Sequence, residues 1–415
     1  MFKNLPNILI FGSLYAYSYI FFEQPFELYL AYVIFLLFFP LFIIRFGIPK
    51  LPVYVFIPLL ISGVVYCLTG DNTFQQFFKI FLGFFLSVLF YHYVVQQNNY
   101  DIKYLFKMYM QSAYIISIIG AFQVFSYLIR FTPGYNFRWI FNKWNPSPGG
   151  IGVRISSLLS EPAYYAAIIA PAFFVALYNI LKRKEHFVSK RKSLLILAIY
   201  PLSYSSLGIL GILIAILLLM INLGSVRYYL IMIPALYVIG TYSYRNVDEF
   251  KDRMDGTLEI YSTENIYSYD IHGSSFVLYN NSHIAWTNFK QHPLFGTGLG
   301  SHPIAFDRYS LTNEVGSVQI KFNKMDANSM LLRLLSETGL YGVFFMLYIL
   351  IKNLVFRWRS ADEEYWLMSN GIALIVLIYL LRQGHYFING FPLFLWMHFY
   401  LGKINRNELK SLPAQ

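Results

Sequence analysis

The stretch "LGILGILIAILLLMINLG" (207–224) has one polar side chain, Asn222. As an α-helix its 18 residues would reach about 27 Å, close to the ~30 Å hydrocarbon core of a bilayer. In lipid every backbone N–H and C=O must be bonded within its own segment, so a run of this kind reads as a transmembrane helix. Working outward, comparable runs recur near 7–22, 28–44, 52–68, 75–95, 104–129, 160–181, 193–204, 228–243, 328–351, 365–381 and 387–402. The spacing predicts an all-α polytopic membrane protein with about twelve transmembrane helices. The run 193–204 is short for a span, and with 206–222 it forms a candidate tight hairpin.

Composition agrees with that reading. The chain is 57% hydrophobic and 13% charged, with a mean hydropathy of +0.49, far from the balance of a soluble domain. A net charge of +11 would suggest nucleic acid in a soluble protein, but here the charge sits in short loops, which excludes that class. The 36 Tyr and 40 Phe fit aromatic belts at two membrane interfaces. Cys67, the only cysteine, lies in an apolar run, so an internal disulfide or a cysteine metal site is excluded and a core role is expected.

The loop "KRKEHFVSKRK" (182–192) sets the orientation, because basic short loops stay cytoplasmic. Counting spans from it brings Lys3, Arg45, Lys50, Arg227, Lys352, Arg357, Arg359, Lys403 and Arg406 to the same side. Both chain ends are then expected to be cytoplasmic. The long segment 244–326 falls outside, with 10 acidic against 7 basic residues, and reads as a folded insert between helices nine and ten. Three units follow: helices one to nine in 1–243, the outer loop 244–326, and helices ten to twelve with a short tail in 327–415. No internal repeat is visible, which weighs against many transporter architectures.

No phosphate loop of the form GxxxxGK[ST], no HExxH helix and no Asp-x-Asp pair occurs in the sequence. No metal and no cofactor are expected. Four polar stretches fall on the outer face. In "GVRISSLLSEPAYYA" (152–166), Ser160 and Glu161 either cap a helix that Pro162 begins, while Arg154 reaches to headgroups, or Arg154 binds a phosphate and Glu161 accepts a proton. In "HPLFGTGLGSH" (292–302), Gly296, Gly298 and Gly300 suit a tight turn near a ligand, or a turn alone. In "DANSMLLRLLSETGLYG" (326–342), Asp326 and Asn328 are natural N-caps or site residues, and Arg333 and Glu337 have ion-pair spacing. In "LLRQGHYFINGFPLF" (380–394), Arg382 and His385 stand near membrane depth, where ionisable groups are costly and usually functional.

Together these residues carry a resemblance. "HPLFGTGLGSH" followed by "ANSMLLRLLSETGLYG" (327–342) resembles the signature of the O-antigen ligase and Wzy-type polymerase superfamily, in which a Pro-Leu-x-Gly-x-Gly-x-Gly stretch ends a large periplasmic loop and a His-Asn pair opens the next helix. "RISSLLSEPAYYA" (154–166) is similar to that family's earlier Arg and Glu-Pro segment. Where ligases carry the histidine, this chain has Asn328, and "NNSHIAWTNFKQHP" (280–293) lacks the arginine expected of a ligase. Both departures favour the polymerase branch.

The resemblance implies a bacterial inner-membrane glycosyltransferase with one large periplasmic loop between helices nine and ten and an active site facing the periplasm. Donor and acceptor would both be oligosaccharide repeats on undecaprenyl pyrophosphate. Membrane lipids, a chain-length regulator and a repeat-unit flippase are the expected partners, and nucleic acid is not one. Expected roles are Glu161, His385 and Asp326 as candidate bases, Arg154 and Arg382 on the pyrophosphate, and Asn328, Gly298 and Gly300 against the glycan. The rivals are an O-antigen ligase acting on lipid A-core and a transporter or flippase of lipid-linked glycan.

Overall fold

The computed structural model describes residues 5–23, 27–150, 152–224, 226–246, 248, 251–252, 254–256, 258, 273–313 and 323–411. Within them lie the helices α1 (Leu5–Ser13), α2 (Leu30–Phe46), α3 (Lys50–Thr69), α4 (Phe74–Gln97), α5 (Ile102–Leu128), α6 (Thr132–Tyr135), α7 (Pro162–Lys182) and α8 (Lys190–Ile199). They continue with α9 (Ser206–Leu223), α10 (Val226–Asn246), α11 (Gly273–Gln291), α12 (His302–Tyr309), α13 (Met330–Asn353), α14 (Glu363–Arg382) and α15 (Phe391–Ser411). Among the described residues there is no strand, only a lone bridge between Ile20 and Tyr29.

Among the described residues seven helices, α3, α4, α5, α7, α9, α13 and α14, are long and apolar enough to cross a membrane, and α2 is a shorter apolar helix. The described residues are thus all-helical, consistent with a helical membrane protein. Their ends are set locally. Thr73, Asp101, Ser205, Ser329 and Asp362 cap α4, α5, α9, α13 and α14 with side-chain oxygens, which satisfies N–H groups that the helix itself leaves open. Gly70 and Gly224 end α3 and α9 in the left-handed region.

The core is the pair α7 and α14, buried along nearly their whole length. They approach closely: a Cβ at Gly371 would stand 3.3 Å from the Pro171 carbonyl oxygen. Small residues permit such contact, and lipid supplies no hydrophobic drive to replace it. The peripheral helices turn large apolar side chains outward, including Leu36, Leu37 and Ile44 on α2, Leu68 on α3, Phe125 on α5 and Ile351 on α13. In water such a surface would aggregate; in lipid it is the solvated face.

Basic loops gather at one end of the bundle. Lys103 pairs with Asp362 and Glu364, Lys184 and His186 with Glu363, and Arg406 donates to the Lys352 carbonyl. The opposite end carries the start of α7, the start of α13 and the end of α14.

Several expectations need correction. The first apolar run, 7–22, is not one helix: α1 stops at Ser13, followed by a short 3-10 turn, Ala16–Ser18. Ile20 spends its backbone groups on Asn142, donating to Oδ1 at 2.9 Å and accepting from Nδ2 at 2.6 Å, so the tertiary contact replaces helical bonds there. The pair 193–204 and 206–222 is no tight hairpin, because α8 and α9 each take α7 as their main neighbour. Within the expected outer segment 244–326, α10 runs on to Asn246, and α11 and α12 are helical. Its residues 259–272 and 314–322, like Lys3, lie outside the described residues.

Candidate functional site

Pro162 opens α7, where its missing N–H costs nothing, and Glu161 falls at the N-cap position. Its carboxylate makes no capping bond, so the capping role open to it in the sequence is not taken up. The loop before it is held from inside. Trp144 is fully buried with its indole N–H donating to the Ser157 carbonyl at 2.9 Å, and the backbone N–H groups of Ser156 and Ser157 share Gln123 Oε1. That packing sets Lys143 and Arg154 around Glu161. Lys143 pairs with Glu27 at 2.6 Å and stands over the Tyr29 ring, 5.1 Å from its centroid. Arg154 Nε donates to the Ser203 carbonyl at 3.4 Å.

Asp326 approaches from the start of α13. Neither it nor Asn328 caps that helix, as the sequence allowed: Ala327 and Asn328 both take the left-handed backbone, with φ of 57° and 56°, and Ser329 becomes the cap. Asp326 Oδ1 instead accepts from Asn323 Nδ2 at 3.1 Å and from the Asn328 N–H at 3.2 Å. Its other oxygen lies 3.4 Å from His385 Nε2. A Cβ at Gly384 would come within 1.5 Å of the Asp326 carbonyl oxygen, so only glycine lets the two segments meet.

Below this pair sits a buried one. Arg333 Nε donates to Glu337 Oε1 at 3.0 Å, with the two side chains 3% and 0% exposed. Arg333 Nη1 donates to the Gly384 carbonyl at 2.9 Å and its guanidinium lies 4.5 Å from the Tyr386 centroid, while the Tyr386 hydroxyl donates to Glu337 at 3.0 Å. The ion-pair spacing is therefore a clamp on the segment that carries His385.

The glycine turn packs against the same helix. Gly298 N–H donates to the Glu337 carbonyl at 2.8 Å, across the kink where Gly339 has φ +57°. A Cβ at Gly298 would meet Gly63 Cα at 2.9 Å, and one at Gly300 the Gln76 carbonyl oxygen at 2.6 Å. These glycines thus have protein neighbours that demand their smallness.

At one end of the bundle Asp326 acts electrostatically on both Glu161 and His385, and Arg154 acts on Glu161. Arg382 closes α14, and Arg154 and Lys143 are cations that act on Glu161. Reading the sequence missed Lys143, Glu27, Tyr29 and Tyr164, whose ring centroid lies 6.2 Å from that of His385. Nothing in the local pattern around Lys143 marks it.

No family model and no curated protein matches this chain. Its chemistry is accordingly read from the geometry.

Burial lifts the Glu161 carboxyl above the usual carboxylate range, and the negative charge of Asp326 adds to the effect, with Arg154 and Lys143 opposing. The residue nonetheless keeps part of its surface open to solvent. Burial holds the His385 imidazole below its ordinary value against the pull of Asp326. His302 is pushed down to about 3, chiefly by burial, with Arg333 adding. Its Nε2 meets Asn281 Oδ1 at 2.9 Å. Among the described residues, no group of three or more His, Cys, Asp or Glu could hold a metal ion. The arrangement offers two proton acceptors, each beside a carboxylate partner, and two cations nearby.

Proposed function

We propose that this chain is a membrane glycosyltransferase that joins undecaprenyl-pyrophosphate-linked oligosaccharide repeats at the periplasmic face, in the manner of the Wzy-type polymerases. One observation carries the reading: the His385–Asp326 pair, 3.4 Å apart, stands with Glu161 and Arg154 at the end of the bundle opposite the basic loops. On this reading the twelve spans are built on α1–α5, α7–α10 and α13–α15, with α1 and α8 each extended by the 3-10 turn that follows it, both chain ends are cytoplasmic, and 244–326 is the periplasmic loop.

The chemistry follows from those groups. An acceptor hydroxyl attacks the anomeric carbon of the donor repeat, the bond from that carbon to the pyrophosphate oxygen breaks, and the hydroxyl proton passes to the base. Glu161, whose proton affinity is raised, or His385, oriented by Asp326, accepts it. Arg154 and Lys143 offset the charge that develops on the departing pyrophosphate, with Arg382 as a further contact from the end of α14.

The test is direct. Purified protein in nanodiscs, given its lipid-linked repeat without nucleotide, should produce a ladder of longer lipid-linked chains. Intact starting material would refute polymerisation, and capping of added lipid A-core would identify a ligase instead. Cysteine at Ser274, in a Cys67→Ser background, should react with an impermeant reagent from outside the inner membrane; labelling only after permeabilisation would overturn the topology.

A further inference from the structure

Beside the charged group lies an aromatic one that the transfer chemistry leaves unused. Tyr17 sits 5.3 Å from Tyr29 and 6.0 Å from Tyr32, measured between ring centroids, and Tyr29 and Tyr32 are 5.7 Å apart. Tyr164 and Phe387 pack on the same small cluster, together with Ala16, Ala31 and Ile388. Tyr29, Tyr32, Tyr164 and Phe387 are all partly open. Tyr164 links the cluster to the candidate base, its ring 6.2 Å from His385, and Lys143 covers the Tyr29 ring.

A polar floor accompanies these rings. Asn389 follows Ile388 in the chain, is 1% exposed, and has no hydrogen-bond partner at either amide atom. Its backbone is left-handed, with φ +51°, a conformation that costs energy outside glycine and persists where the surroundings demand it. The Tyr379 hydroxyl is buried beside the Asn389 side chain. Buried polar atoms almost always find partners, and each exception calls for an explanation.

The geometry points to a saccharide subsite formed by Tyr29, Tyr32, Tyr164 and Asn389, which holds a sugar ring of the lipid-linked substrate next to the transfer centre. A pyranose has apolar C–H faces that stack on aromatic rings, and rim hydroxyls that both donate and accept. Asn389 offers one donor and one acceptor group at adjacent atoms, which suits neighbouring hydroxyls. Tyrosine presents an apolar body and a polar tip to the same ligand. A polyprenyl chain would cover the rings equally well but leave the Asn389 amide unpaired, a cost of about 1–3 kcal/mol. That difference favours sugar over isoprenoid.

The inference rests on the transferase reading for its ligand, so its test measures binding and not turnover. Two probes are used on protein in nanodiscs: the lipid-linked repeat extracted from cells deleted for this gene, and undecaprenyl pyrophosphate without sugar. The intact protein should bind the glycosylated lipid more tightly. Tyr164→Leu and Asn389→Leu should each weaken that lipid about tenfold and leave undecaprenyl pyrophosphate unchanged, while Tyr164→Phe, which keeps the ring, should lose little. Unchanged binding of the sugar-free lipid also shows that each variant is folded. Equal loss for both lipids, loss for neither, or no preference of the intact protein for the glycosylated lipid would overturn the subsite. If the binding pattern appears but no ladder ever forms, the subsite stands and the polymerase reading falls. If the intact protein binds neither lipid, both are wrong.

Discussion

Asp326 and His385, from the start of α13 and the loop after α14, meet at 3.4 Å because Gly384 lets one backbone lie directly on the other. A carboxylate in this position orients an imidazole and favours the imidazolium that forms when it takes a proton. Asp326→Asn should therefore impair His385 without removing it. If His385 is the base, Asp326→Asn and His385→Gln should slow ladder formation by comparable factors, and the double variant should be little worse than either. Additive losses would show that the two act separately.

Acidification should distinguish the two bases. A base must be unprotonated to act. Burial and Asp326 raise the Glu161 carboxyl, whereas burial lowers His385, so each should lose activity as pH falls, Glu161 above the ordinary carboxylate value and His385 below the ordinary imidazole value. The acid limb therefore lies above the ordinary carboxylate value where Glu161 is the base, and below the ordinary imidazole value where His385 is. If Glu161 is the base, Glu161→Gln lowers the rate ~10²- to ~10⁴-fold and removes the limb. An unaltered limb in that variant assigns the proton to His385.

Arg154→Lys should nearly abolish extension while membrane levels stay normal, since an ammonium cannot grip two phosphate oxygens as a guanidinium does. A loss of about 4 kcal/mol in the transition state is roughly a thousandfold in rate. Arg382→Lys, at the end of α14, should act in the same direction. Arg357→Lys, at the opposite end, is the control. Ladders of normal length from both test variants would make the arginines structural.

Arg333 and Glu337 should govern stability. With exposures of 3% and 0%, removing either partner strands a buried charge at a cost of about 3–5 kcal/mol. Glu337→Gln should lower the melting temperature in detergent sharply, and Arg333→Met with Glu337→Leu should recover part of the loss. Silent single variants would contradict the clamp.

Gly298→Ala and Gly300→Ala separate packing from ligand binding. Each glycine has positive φ, +89° and +80°, and protein atoms within 3.0 Å of an added Cβ, whereas Gly12 has nothing within 4 Å. Both variants should destabilise by roughly 1–3 kcal/mol, and Gly12→Ala should not. Normal melting with reduced substrate binding would instead place these glycines against the glycan.

Membrane character was legible in the sequence because it follows from local composition: a helix such as α9 must bond its own backbone and show lipid an apolar face wherever it packs. So were the start of α7 at Pro162 and the approximate limits of the long helices, since apolar run length and breaker residues act within one segment. Local pattern could not take Ile20 out of the helix expected for the first run, because what claims its backbone groups is the side chain of Asn142, far along the chain. Nor could it choose the cap of α13, where left-handed residues at Ala327 and Asn328 hand the role to Ser329. The candidate site belongs to the same class. Glu161, Asp326 and His385 stood out singly as polar residues at helix ends, but their pairing, the clamp at Arg333, the cation at Lys143 and the tyrosines around Asn389 depend on which helix ends face one another. That is a property of packing between distant segments, and only the tertiary structure decided it.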